Sequence, residues 1–144
     1  MDISRVQSLY IFGGVMPKLS FKYLAFLRVL DLEGCKDLEN SNVVEIADEL
    51  VHLRYLIIRD TPVSELPDEI GQLQHLTMLD VRGTPVRELP ASVQRLQKLS
   101  HLLCDQMRLQ EWIGKIAGRS AFLLVTVRHF PERKDCHGRT WKPF

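Results

Sequence analysis

The chain has 144 residues and a mass of 16.7 kDa, enough to bury a core as one ordinary domain. Its 19 basic and 18 acidic residues leave a formal charge of +1, which removes any net electrostatic case for nucleic acid or an anionic membrane as partner. Three scattered cysteines (Cys35, Cys104, Cys136), no Asn-x-Ser/Thr sequon and no apolar leader argue for a reducing cytoplasmic setting, and no apolar run approaches the roughly 18 residues of a membrane span.

Residues 1–5 are a short lead-in. Val6-Gln-Ser-Leu9-Tyr-Ile11 then opens a six-residue template, apolar at its first, fourth and sixth positions, which returns as Leu27-Arg-Val-Leu30-Asp-Leu32. Alternation of this kind has the period of a strand, with the fourth and sixth residues inward and their neighbours outward. On the way back, Leu19, Phe21, Tyr23, Leu24 and Phe26 are expected to pack behind the first two strands. The second unit is three residues longer than those that follow it, and Val43, Val44, Ala47 and Leu50 have helical spacing. A convex-side helix is predicted there, with Asn42 and Glu45 as a variant capping box at its start.

The next two units are the clearest, because ten positions between Leu53 and Leu73 recur identically 23 residues later. Leu56 and Ile58 are predicted to face inward, Tyr55, Ile57 and Arg59 outward. Thr61 and Thr84 are turn residues whose hydroxyls can bond nearby backbone. Pro62 and Pro67 disfavour further strand pairing, and Ile70 and Leu73 fit a short helical turn with Pro67 at its first position. Cys35 has the register of Thr61 and Thr84, which favours a structural role over a reactive thiol. Leu99-Ser-His-Leu102 and Phe122-Leu-Leu-Val125-Thr-Val127 continue the array, so units start at 6, 27, 53, 76, 99 and 122.

Self-similarity at a period of about 20 to 29 residues is the signature of a leucine-rich repeat, in which each unit buries its apolar edge only against the next. The expected fold is therefore α/β: a leucine-rich-repeat solenoid of about six units over 6–130, with a curved parallel sheet on the concave face and short helices, turns and loops on the convex face. The fifth unit is degraded. Leu109, Trp112 and Ile116 keep its apolar register, but Ile113 and Arg119 stand where a proline and a leucine would recur. Residues 131–144 are polar and aperiodic and read as a disordered tail. Neither end has the polar cap a solenoid needs, which suggests a piece of a longer receptor or an end covered by a partner.

The outward side chains form three columns across the sheet: Ser8, Val29, Tyr55, Met78, His101; then Tyr10, Asp31, Ile57, Asp80, Leu103; then Phe12, Glu33, Arg59, Arg82, Asp105. Tyr10, Phe12, Val29, Tyr55, Ile57 and Met78 make an apolar patch beside arginines, the composition of interface anchors. All of these except Ser8 and Leu103 are candidate partner-binding residues. Val, Ile and Tyr also suit strands by propensity alone. Six strands about 4.8 Å apart and three outward residues wide give roughly 500 Å² with surface relief, short of the about 800 Å² per partner of a stable interface. The ribbon alone should bind weakly.

Catalytic, cofactor and metal patterns do not assemble. Gly13-Gly-Val-Met-Pro-Lys18-Leu19 has Pro17 before the lysine and Leu19 where a phosphate loop requires Ser or Thr. The five histidines show no His-x-x-x-His spacing, there is no Cys-x-x-Cys, and His52 and His75 read as turn residues at one register. The basic residues between Arg128 and Lys142 are most simply a solvated tail.

Leu27-Arg-Val-Leu-Asp-Leu-Glu-Gly-Cys35, His52-Leu-Arg-Tyr-Leu56, Leu66-Pro-Asp-Glu-Ile-Gly-Gln-Leu73 and Arg87-Glu-Leu-Pro-Ala-Ser-Val93 together resemble the repeat domain of plant intracellular nucleotide-binding leucine-rich-repeat immune receptors, particularly the coiled-coil subclass of grasses. The resemblance spans residues 3 to 127. It implies a non-catalytic protein-interaction module of a disease resistance receptor, meeting a pathogen effector, a host protein or the receptor's own nucleotide-binding domain. Nucleotide binding does not carry over, since no nucleotide-binding or N-terminal signalling domain is present in the sequence, and the departure after Phe130 suggests truncation. The alternative is a scaffold or the substrate-recognition module of a ubiquitin ligase, whose repeats share the Leu-Pro-x-x-Ile-Gly-x-Leu grammar.

Overall fold

Six short strands run parallel and in sequence order through the computed structural model, which describes residues 2–105 and, beyond them, three further strands. They are β1 (Ser8–Tyr10), β2 (Val29–Asp31), β3 (Tyr55–Ile57), β4 (Met78–Asp80), β5 (His101–Asp105) and β6 (Leu124–Arg128). Leu9, Leu30, Leu56, Leu79, Leu102 and Val125 occupy one line across them, each paired with the next. That register follows the repeat, because sliding any strand by one residue would turn its leucines out to water.

The core is a single continuous column rather than a set of separate ones. Leu30, Leu56, Leu79 and Leu102 are fully buried, as are Leu32, Ile58 and Cys104 at the sixth position and Leu27, Leu53 and Leu76 at the first. The second to fifth coils each supply a buried layer of this ridge, whereas Val6, Leu9 and Ile11 of the first coil are only partly buried against it.

After each of β1 to β4 the chain turns through the left-handed region. Gly13, Gly34, Asp60 and Gly83 share the eighth position of their units and have φ of 64°, 75°, 56° and 69°. The turn aims the next amide at the neighbouring coil: Gly13, Gly34 and Asp60 donate to the carbonyls of Glu33, Arg59 and Arg82 at 2.8, 3.1 and 2.9 Å. Gly83 donates instead to the Asp105 carboxylate at 2.9 Å. One residue later, the Thr61 and Thr84 hydroxyls each donate at 2.7 Å to the carbonyl three residues back, those of Ile58 and Val81. Cys35 is buried at the same register, but its thiol faces the Ile11 carbonyl of the preceding coil at 3.6 Å.

The return paths are 3₁₀ turns at Phe21–Leu24, Asp68–Gln72 and Ala91–Arg95, and a true helix, α1 (Asn40–Glu49), in the longer second unit. The sequence-based capping box is corrected here. Glu39, not Asn42, is the N-cap, and the Asn42 side chain accepts the Glu39 amide at 2.7 Å in the reciprocal bond. Glu45 is drawn away from the helix start because its carboxylate accepts the Phe21 amide at 3.1 Å. Pro67 and Pro90 stand one position before their 3₁₀ turns, in extended geometry, rather than inside them. In the first unit Phe21 and Leu24 are buried as expected, whereas Tyr23 is exposed because a 3₁₀ turn of four residues presents only one face to the sheet, and Phe26, two residues beyond that turn, is exposed as well.

Side-chain bonds tie neighbouring coils on the outside. Asn40 donates to the Ser64 hydroxyl and accepts the Ser64 amide, both at 3.0 Å, and Asp37 accepts the Met16 amide at 2.9 Å. Beyond the array, Arg133–Lys134 (β7) pairs antiparallel with Thr140–Trp141 (β8). Leu109, Trp112, Ile113, Ile116 and Arg119 lie outside the described residues, as does most of 131–144.

Candidate interaction face

Strand pairing sets the outward residues in columns. Ser8, Val29, Tyr55, Met78 and His101 pair in succession along the first, and Tyr10, Asp31, Ile57, Asp80 and Leu103 along the second. Phe12, Glu33, Arg59 and Arg82 follow just past the paired segments, and Asp105 closes β5, paired with Arg128. Their environments differ. Phe12 is 68% exposed, Tyr10 54% and Tyr55 42%, while Val29, Ile57 and Met78 are half-buried and His101 is exposed. Tyr10 and Phe12 stack with ring centroids 6.1 Å apart, so the first coil presents one continuous aromatic surface.

The charged positions are ordered by one another. Arg59 Nη2 meets Glu33 Oε2 at 2.6 Å across neighbouring coils. Arg82 forks onto Asp80, Nε to Oδ1 at 2.9 Å and Nη2 to Oδ2 at 2.7 Å. These bonds raise the pKa of both guanidinium groups, the hydrogen bond to the carboxylate being the main cause in each. Asp31 and Asp80 lie in the outward column yet are 8% and 2% exposed, because their carboxylates turn back to accept the amides of Glu33 and Arg82 at 3.0 and 3.2 Å. Burial pushes the pKa of Asp31 up. The accessible part of the ribbon is thus an aromatic end, a half-buried aliphatic middle and two arginines already held in place. Arg59 Nε is buried without a partner among the described residues.

Sequence reasoning missed a second feature, on the edge where the chain enters each strand. Phe26 stacks on His52 and His52 on His75, with centroids 5.8 and 5.9 Å apart. His52 and His75 do occupy turns, but the side chains form a ladder across coils. The position directly before each unit's first leucine, 26, 52, 75 and 98, was the clue to it.

Among the described residues, no three His, Cys, Asp or Glu side chains come together as metal ligands, and no helix is long and apolar enough to cross a membrane.

Comparison with known proteins places this geometry. The rice (Oryza sativa subsp. japonica) disease resistance protein PIK6-NP is 43% identical over 72 residues, which is 49% of this chain and only 7% of that protein's length. Among solved structures, a leucine-rich-repeat protein of Leptospira interrogans superposes with a TM-score of 0.63 at 24% identity, over 78% of this chain and 30% of that one. The plant peptide hormone receptor RGFR1, solved in complex with RGF2, gives 0.57 at 21% identity, over 84% and 24%. Residues 5–127 match the family model for a leucine-rich repeat region. With the six-stranded parallel ladder and its shared ridge of leucines, that match assigns the chain to the leucine-rich-repeat family.

Proposed function

We propose that the chain is a non-catalytic protein-interaction module of a plant disease resistance receptor, working in a reducing intracellular setting, and that its concave ribbon is the contact surface. The observation that carries this reading is the exposed aromatic side chains, Tyr10 and Phe12 on the first coil and Tyr55 on the third, on the same face as ordered Arg59 and Arg82. Rigid aromatic and arginine side chains give contact area at low entropic cost, which is why they anchor interfaces. The similarity to rice resistance proteins supports the biological setting, and buried, unpaired Cys35 and Cys104 agree with a reducing one. The partner is a pathogen effector, a host protein or the receptor's own nucleotide-binding domain.

The last of these is tested by coexpressing the chain in leaf tissue with the nucleotide-binding domain of a matching resistance protein such as PIK6-NP. Wild-type chain is expected to be recovered with that domain. Y10A/F12A/Y55A and R59E/R82E are each expected to reduce recovery severalfold, given how interface energy concentrates in such residues. Unchanged recovery of both variants would reject the concave ribbon as the contact. No recovery of the wild type would reject the intramolecular restraint.

A further inference from the structure

We propose that the edge where the chain enters its strands is a second docking surface, for an acidic protein segment carrying an apolar side chain. The inference is independent of the concave ribbon. It starts from the ring ladder: Phe26, His52 and His75 stack in succession, and Lys98 Nζ continues the line at 3.3 Å from His75 Nδ1. Phe26 heads the ladder and is 57% exposed. It lines a recess of about 480 Å³ with Arg5, Gln7, Arg28 and His52, a size that admits one or two side chains.

Charge selects the occupant. In the three positions that lead into each strand, 5–7, 26–28, 52–54, 75–77 and 98–100, there are four cations, Arg5, Arg28, Arg54 and Lys98, and no acidic residue. All four are exposed. Among the described residues none of these four has a carboxylate within 4.0 Å, whereas Arg59 and Arg82 on the concave side are each paired with one. On a chain whose net charge is only +1, this concentrates unneutralised positive charge on one edge. Carboxylates approaching Arg28 and Arg54 would find guanidinium groups not already committed.

The arginines fall on three consecutive coils, a span of about 10 Å, which is the reach of roughly three extended residues. That length suits a short acidic stretch flanking a hydrophobic side chain on Phe26. A nucleic acid gains its affinity from neutralising many phosphates, and this edge has too few cations for that.

The test uses the full chain and a fluorescein-labelled peptide with one Phe among Asp and Glu residues, read by anisotropy. The peptide should bind wild type, and more weakly as salt rises from about 50 to 200 mM. R28E/R54E should weaken binding at least about tenfold, F26S severalfold, and K18E/R95E, which reverses two exposed charges away from this edge, by no more than about twofold. R28Q/R54Q should change affinity in the same direction as R28E/R54E, and serves if circular dichroism shows the reversed-charge variant unfolded. No binding to wild type, or equal loss from K18E/R95E, would overturn the assignment. Tighter binding of a charge-matched single-stranded oligonucleotide than of the peptide would also overturn it, in favour of a nucleic-acid surface.

Discussion

Gly71 in the third unit's 3₁₀ turn lies directly against Ser92 in the fourth's: a Cβ on Gly71 would stand 2.7 Å from the Ser92 Cβ and 2.8 Å from its carbonyl oxygen. The obstacle is partly backbone, so it cannot rotate away. Gly71→Ala is therefore expected to cost about 1 to 3 kcal/mol by overpacking. The Ser92 hydroxyl is buried with no hydrogen-bond partner among the described residues, so Ser92→Ala should be neutral or slightly stabilising. Urea unfolding of both variants and of G71A/S92G checks the geometry. A loss from Gly71→Ala below about 0.5 kcal/mol, the size of a surface substitution, would show that the two turns are not in contact.

Thr61 is fully buried, and its hydroxyl supplies the 2.7 Å bond to the Ile58 carbonyl as the chain leaves β3. Valine has nearly the same shape but no donor. Thr61→Val is expected to lose about 1 to 3 kcal/mol, the cost of leaving a buried acceptor unmade, while Thr61→Ser loses less. Thr84 makes the same bond from a half-buried site, so Thr84→Val should cost less than Thr61→Val. Equal effects at both sites would count against burial as the cause.

Stability should respond to pH through Asp31. Its pKa in the folded chain is raised, mainly by burial, with the Glu33 amide opposing the shift. The folded state then holds this proton more tightly than the unfolded state. The contribution is present below the unfolded carboxylate value of about 3.9 and is lost as pH rises through the higher folded one. Asp31→Asn removes the cost of burying a charge and can still accept the Glu33 amide. Urea midpoints should place it level with or above wild type at pH 7, the difference closing near pH 3. A clear loss at pH 7 that vanishes at pH 3 would mean that the Glu33 amide bond and the attraction to Arg59 together outweigh burial.

Cys104 is fully buried, and burial beside Asp105 and Asp80 pushes its thiol up to about 11. Cys35 is buried too, with its pKa raised in the same sense. At pH 8 about one Cys104 in a thousand would be thiolate even if reagent reached it. In a C136S variant, native protein should react with a thiol reagent only as fast as the array opens. Prompt reaction of either thiol in native buffer would contradict the packing of β5 or of the second coil.

The periodicity of leucine alone determined the parallel ladder, its register and its buried ridge. Those features answer to one requirement, that each coil hide its apolar edge against the next, and a spacing of 23 residues states it directly. The left-handed turn shared by Gly13, Gly34 and Gly83, into which Asp60 is carried as well, came only from the structure. Other features depend on pairs of side chains that are distant in sequence and have no period of their own. Glu45 was free by spacing to cap its own helix, yet it reaches Phe21 in the preceding unit. Asp31 and Asp80 sit in an outward column, but local amides turn their carboxylates inward. Phe26 looked like core, yet it is exposed and stacks on His52. Repetition specifies what every coil must do alike; where individual polar and aromatic side chains settle depends on which groups the stacked coils bring within reach, and only the tertiary structure decides that.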